Sequence, residues 1–310
     1  MPPLTSAQLK TETITHQGRF ALSARVTPGV GANLISFTVD GHELIYWDEA
    51  GFLAGDGLTG AFTMFPTPCR LAGCAYEFEG RRITQTKHGE PVPIHGLVRD
   101  EAMQCRNDGD RVTSWIDITP DHPVYEGFPF TCCLRITHAL CDDGLKVSFA
   151  LENRDTRAIP FGYGIHTFWR IQGSRAETLV RLPCDYILDL ADLVPTGGYT
   201  PVAGTALDLR QAKSLDGFYI DNAFWQKHAG DSAELMLNAI GKTILFDAGD
   251  NFPHMIVYAP EGQPFVCVEN LTTCPNAPNL VSAGNGQVAN MQVAAPGATV
   301  EGWLKYTIRG

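Results

Sequence analysis

Glu269 is the one charged residue in the apolar run Phe265-Val-Cys-Val-Glu-Asn-Leu271. A strand alternates its side chains between two faces, so Phe265, Cys267 and Glu269 share one face and Val266, Val268 and Asn270 the other. Burying an ionised carboxylate is costly, so such a Glu is paired, shifted in pKa or set in a cavity wall. Four other segments hold polar groups where folding alone does not ask for them. Phe65-Pro-Thr-Pro-Cys-Arg70-Leu-Ala-Gly-Cys74 carries an Arg, whose rigid fork of donors suits vicinal oxygens or a carboxylate. Val92-Pro-Ile-His95-Gly96 carries a His on a loop introduced by Pro. Pro160-Phe-Gly-Tyr-Gly-Ile-His166-Thr-Phe-Trp-Arg170 sets a His among aromatics and glycines, and Phe218-Tyr-Ile-Asp221-Asn-Ala-Phe224 encloses an Asp in apolar groups.

Each group has a plain structural alternative. Arg70 could serve an ion pair, His95 could be satisfied by a backbone carbonyl, and Asp221-Asn222 could form a turn. Glu269 itself could be a core-edge carboxylate held by a backbone donor or an Arg. As a set, two His, two carboxylates and one Arg suit proton transfer across a ligand, one group taking a proton while another gives one. The aromatic, glycine-punctuated run around His166 would also suit the apolar face of a sugar ring. No nucleophile elbow, glycine-rich phosphate loop or HExxH motif accompanies the set.

Positioning such groups needs a large framework, and 310 residues with 44% hydrophobic and 18% charged content allow one. The net charge of −11 disfavours nonspecific nucleic-acid and anionic-membrane binding. The start, Met1-Pro-Pro-Leu-Thr-Ser-Ala-Gln-Leu-Lys10, lacks a basic segment followed by an apolar one, and no apolar run approaches membrane-span length, so a cytoplasmic location is expected. The nine Cys are odd in number, two are adjacent (Cys132, Cys133), and no CxxC occurs; reduced core thiols and no structural metal are expected.

Along the chain, short β-rich runs alternate with turn residues. Runs at 19–26, 33–39, 43–47, 112–119, 131–140, 145–153, 235–238, 243–246, 254–258 and 299–308 read as strands, with Asp40-Gly41 and Cys141-Asp-Asp-Gly144 as hairpin turns. Helix-length segments do not separate them, which argues against a parallel βαβ sheet. The expectation is all-β: a single domain over 1–310 of two large antiparallel sheets packed face to face. Residues 206–212 could form a helical turn or two. The Pro/Gly-rich stretch 183–225 reads as a loop-rich insertion.

These motifs together resemble the aldose 1-epimerase (mutarotase) family, a galactose mutarotase-like β-sandwich, over nearly the whole chain and in order. Gly31-Ala-Asn-Leu-Ile-Ser36 is similar to the family's first core strand; Pro68-Cys-Arg-Leu71 and Tyr76-Glu-Phe-Glu-Gly-Arg-Arg82 to its arginine loop and following hairpin; Ile94-His-Gly-Leu97 to its His-Gly motif. The two most specific matches are Phe161–Arg170, which resembles the strand of the general-acid His, and Val268–Asn279, which resembles the catalytic Glu motif with its Pro-Asn-rich loop. The resemblance implies Glu269 as general base, His166 as general acid and His95 as a second, transition-state-supporting His. It implies Arg70 and Asp221 as hydroxyl-binding residues. Many members have Asn before the Arg; here Cys69, a poor hydrogen-bonding substitute, stands there, so hydroxyl recognition is expected to differ.

The activity so implied is interconversion of the α and β anomers of an aldohexose, without cofactor or metal, by a monomer or homodimer acting on a small-molecule sugar. One rival is a non-catalytic sugar-binding sensor on the same fold. Another is a mutarotase for a phosphorylated or sulfonated sugar, which would need more cations at the pocket rim; Arg81, Arg82 and Arg99 lie near the motif loops in sequence. A glycosidase would need paired carboxylates such as Asp221 and Glu269, and is the weakest reading.

Overall fold

The alternating runs form two large antiparallel sheets, seen in a computed structural model that describes residues 9–310. Residues 1–8, on which most of the reading of the N-terminus rests, lie outside the described residues. Tight turns set the registers. Cys132–Cys141 and Gly144–Asn153 pair with Cys141 opposite Gly144, which leaves Asp142-Asp143 as the two-residue turn. At Asp40-Gly41 both residues have positive φ, as a twist-matched hairpin turn requires.

Among the described residues the first sheet has eleven strands. Its centre runs Asn33–Val39, Ala61–Met64, Gly164–Arg170, Phe265–Leu271, His254–Ala259 and Ile220–Lys227. The second sheet, of nine described strands, is centred on Arg111–Ile118, Cys132–Cys141, Gly144–Asn153, Thr299–Arg309 and Lys242–Ala248. Alternation sends one face of each into a shared core. From the first sheet, Thr167 and Trp169 reach Tyr306 of the second: Thr167 Oγ1 lies 3.2 Å from the Tyr306 hydroxyl, and the Trp169 and Tyr306 rings are 4.8 Å apart, edge to face. Trp169 is fully buried, and each such side chain contributes about 1.5–3 kcal/mol relative to exposure.

Two expectations are corrected. The stretch 183–225 is no insertion: Cys184–Ala191, Val194–Pro201 and Ile220–Lys227 are strands of the first sheet, the first two joined through Asp192 and Leu193, both at positive φ. Val194–Pro201 is the edge strand, where Pro195 and Pro201 need not donate to a further neighbour. Residues 206–212 make turns and bends, not a helix. The α-helices are short (Glu49–Leu53, Ala277–Ser282, Gly286–Ala289), and no described helix is long and apolar enough to cross a membrane.

Candidate active site

The faces not used by the shared core are free to build a site, and strand register does so on the first sheet. Phe168 stands opposite Cys267 and Gly164 opposite Leu271, so His166 falls opposite Glu269. Glu269 is opposite Ile256, Ile256 opposite Ala223, and His166 opposite Phe62. One row across five strands therefore reads Ala223, Ile256, Glu269, His166, Phe62. The adjacent row reads Asp221, Tyr258, Cys267, Phe168. Phe265, Cys267 and Leu271 join Phe62, Met64, Cys69 and Phe168 in a satellite apolar cluster on this face, whereas Val266 and Val268 belong to the shared core.

Two loops roof this surface. Arg70 is bridged to Ile94, the Leu71 N–H donates to Pro93 O, and the His95 N–H donates to Cys69 O at 2.8 Å. The Pro-Asn loop after Glu269 fixes the arginine loop from the other side: Asn276 N–H donates to Arg70 O, and Ala72 N–H donates to Asn276 Oδ1. His95 and Gly96 both have positive φ, and a Cβ on Gly96 would stand 2.2 Å from Phe65 O. The His-Gly pair is thus a backbone requirement: only Gly permits the approach that swings His95 inward.

All five expected residues, Arg70, His95, His166, Asp221 and Glu269, line one cavity of about 240 Å³, with Cys69, Tyr258, Leu58 and Leu193 at its walls. That volume is below the ~300–1,000 Å³ of drug-sized ligand sites and suits a small molecule. His166 Nε2 lies 3.4 Å from Glu269 Oε1, with Glu269 1% exposed. Neither carboxyl oxygen of Glu269 has a hydrogen-bond donor among the described residues. Phe62 and Phe168 stack on His166 with centroids at 5.0 and 4.6 Å, and His95 meets its ring edge-on at 4.9 Å.

Burial dominates the electrostatics. It pushes Glu269 well above the ordinary carboxylate range, and the charge of Asp221 pushes the same way. It pushes His166 down to about 3, with the Arg99 guanidinium adding to the effect. His95 is held well down by burial, then by the charges of His166, Arg99 and Arg70. Burial also raises Asp221, and Arg70 opposes that rise.

Sequence reasoning places Arg99 only near the motif loops; its Nη1 lies 3.4 Å from His95 Nδ1 and its guanidinium stands over Phe62 at 5.8 Å. Its one signal is the four-residue spacing after His95. Arg81 and Arg82 are exposed on the strand Arg81–Thr84 and do not line the cavity.

The family model for aldose 1-epimerase matches residues 13–307. An uncharacterised Escherichia coli K12 protein, YihR, is 26% identical over 258 residues, covering 81% of each chain. Human galactose mutarotase is 26% identical over 163 residues, which is 49% of this chain and 46% of that enzyme. A galactose mutarotase-like protein from Clostridium acetobutylicum shares the fold, with a TM-score of 0.81 at 16% identity over 97% of this chain and 99% of that one.

Proposed function

The chain belongs to the aldose 1-epimerase family, and from that premise we propose that it is a mutarotase, an isomerase exchanging the α and β anomers of an aldohexose. Glu269 takes the proton of the C1 hydroxyl while His166 gives one to the ring oxygen. The C1–ring-oxygen bond breaks to the open aldehyde. Rotation about C1–C2 and reclosure on the other face reverse both transfers. His95 supports the developing charge, and Arg70 and Asp221 hold hydroxyls.

The observation that supports this reading best is the unpartnered carboxyl of Glu269 facing His166 across the strand register, both in the cavity wall. Burial draws both groups towards neutrality, so the pair holds one proton between them. Carboxylate with imidazolium and carboxylic acid with imidazole have the same proton count. Burial favours the second form, so ring opening starts from the minor carboxylate–imidazolium form and ends in the favoured one, reclosure restores it, and no proton need cross the apolar surround.

The test is two-dimensional exchange NMR between anomers at equilibrium, with glucose, galactose, glucose 6-phosphate and a pentose. Accelerated exchange that vanishes in Glu269→Gln is expected. Tight sugar binding without acceleration would instead make the protein a sugar sensor.

One observation favours a second reading of the substrate. Arg99 sits beside His95 without a carboxylate partner among the described residues, a cation at the edge of the site. A phosphorylated or sulfonated sugar would supply the anion. In that case Arg99→Ala raises KM for the anionic sugar at least about tenfold and leaves a neutral hexose nearly unchanged.

A further inference from the structure

We propose that Glu269, His166 and Cys267 also form a binding site for a soft divalent cation, zinc by its chemistry, and that its occupancy switches off the exchange reaction. The inhibitory half of this inference rests on the acid–base reading above; the binding half does not.

One nitrogen of His166, Sγ of Cys267 and a carboxyl oxygen of Glu269 lie within 4.8 Å of one another, and all three residues are buried. The register explains the cluster. Cys267 precedes Glu269 by two on one face of its strand, and His166 is opposite Glu269 on the next strand. Zinc bonds of about 2.0–2.2 Å to nitrogen and oxygen give a tetrahedral edge of roughly 3.4 Å. His166 Nε2 and Glu269 Oε1 are separated by 3.4 Å, so the pair already spans one edge. The thiol's longer bond to zinc, about 2.3 Å, sets an edge of about 3.6 Å, so the thiol must close in by no more than about 1.2 Å to complete a face.

The chemistry of the donors selects the ion. Thiolate and imidazole favour zinc over magnesium or calcium, which prefer oxygen ligands. One thiolate and one carboxylate neutralise a divalent charge. Two protons leave to solvent as the metal enters, that of the thiol and that held by the Glu269–His166 pair. Both carboxyl oxygens of Glu269 lack a donor among the described residues, so the ligand need not be pulled from an existing bond. His166 and Glu269 line the cavity, so water or a sugar hydroxyl can supply a fourth ligand from that side. Asp221 favours a cation here, while Arg70 and Arg99 oppose one.

The consequence is direct. A bound metal holds the lone pairs of both groups that exchange protons with the sugar. Cys267 belongs to the apolar cluster and does not line the cavity, so it separates metal binding from catalysis.

Metal-free full-length protein is titrated with Co²⁺, and the thiolate-to-cobalt charge-transfer absorption is followed in the near ultraviolet. In parallel, Zn²⁺ inhibition of anomer exchange is measured with and without a chelator. Wild type is expected to develop the band to one equivalent, to be inhibited by Zn²⁺ and not Mg²⁺, and to recover with chelator. Cys267→Ser and Cys267→Ala should keep exchange within about twofold, lose the band and resist Zn²⁺ at least about tenfold more. Absence of the band in wild type, or a band and inhibition that persist in both Cys267 variants, overturns the site. The cobalt band reads binding without reference to turnover, so it tests the site even if the protein exchanges no anomers.

Discussion

A carboxyl buried to 1% exposure with no hydrogen-bond donor among the described residues is a destabilised group, and folding alone would replace it. Glu269→Gln is therefore expected to leave the melting temperature unchanged or raised while cutting kcat by about 10²–10⁴-fold, as loss of a general base does. Calorimetry and exchange NMR on the same sample check both halves. Near-wild-type exchange in that variant would remove Glu269 from the base role. The pH profile follows from the directions of shift. A second proton joins the pair only as pH falls towards about 3, where burial has moved His166, and the shared proton leaves only above the raised value of Glu269. Between these limits the one-proton state is constant, so kcat should stay flat as pH rises from about 5 through 6.5. An ordinary imidazole acid would instead lose activity as pH rises through 6.5. A fall centred there would show that the pair does not share its proton.

At the scale of elements, alternation along Phe265–Leu271 is legible in the sequence and holds: Phe265 and Cys267 join the satellite cluster beneath the site, and Val266 and Val268 the shared core. The register that brings His166 against Glu269 is not legible, because the two strands are about a hundred residues apart and alternation fixes faces, not partners. The stretch 183–225 hides its strands because Pro and Gly, which break central strands, are tolerated at a sheet edge. Arg99 escapes as a site residue because nothing in a loop sequence says which way a long side chain turns. The His-Gly motif, by contrast, has a physical cause that can be tested. Gly96→Ala sets a methyl group 2.2 Å from Phe65 O at φ +68°, so something in the backbone must move. It should cost roughly 3 kcal/mol in urea unfolding and lower kcat by displacing His95. Gly80→Ala, also at positive φ but with nothing within 4 Å, should cost only about 1 kcal/mol and leave kcat alone. Equal effects at the two positions would mean that the close contact with Phe65 does not hold the loop.

Over the whole molecule, one apolar cluster takes residues from both sheets, among them Phe37, Trp169 and Val268 of the first and Ile136, Phe149 and Tyr306 of the second. We propose that the sheets unfold together as one domain, so that circular dichroism and tryptophan fluorescence give coincident urea transitions; two transitions would separate the sheets. His138 ties this core to pH. It lies on the core face of Cys132–Cys141, and burial pushes it down to about 4. A histidine depressed in the folded state contributes its full stability above its unfolded value of 6.5 and loses it as pH falls towards 4. Between about pH 8 and 5 that loss amounts to about 2 kcal/mol for this residue alone. His138→Leu removes the titrating group from the same core face. The fall in unfolding free energy between those two pH values should therefore shrink by about 2 kcal/mol. The remaining slope belongs to groups such as His254 and His166, both held down to about 3 by the same burial. An unchanged slope would mean that His138 is charged or hydrated in the fold, and that this core face is open to water.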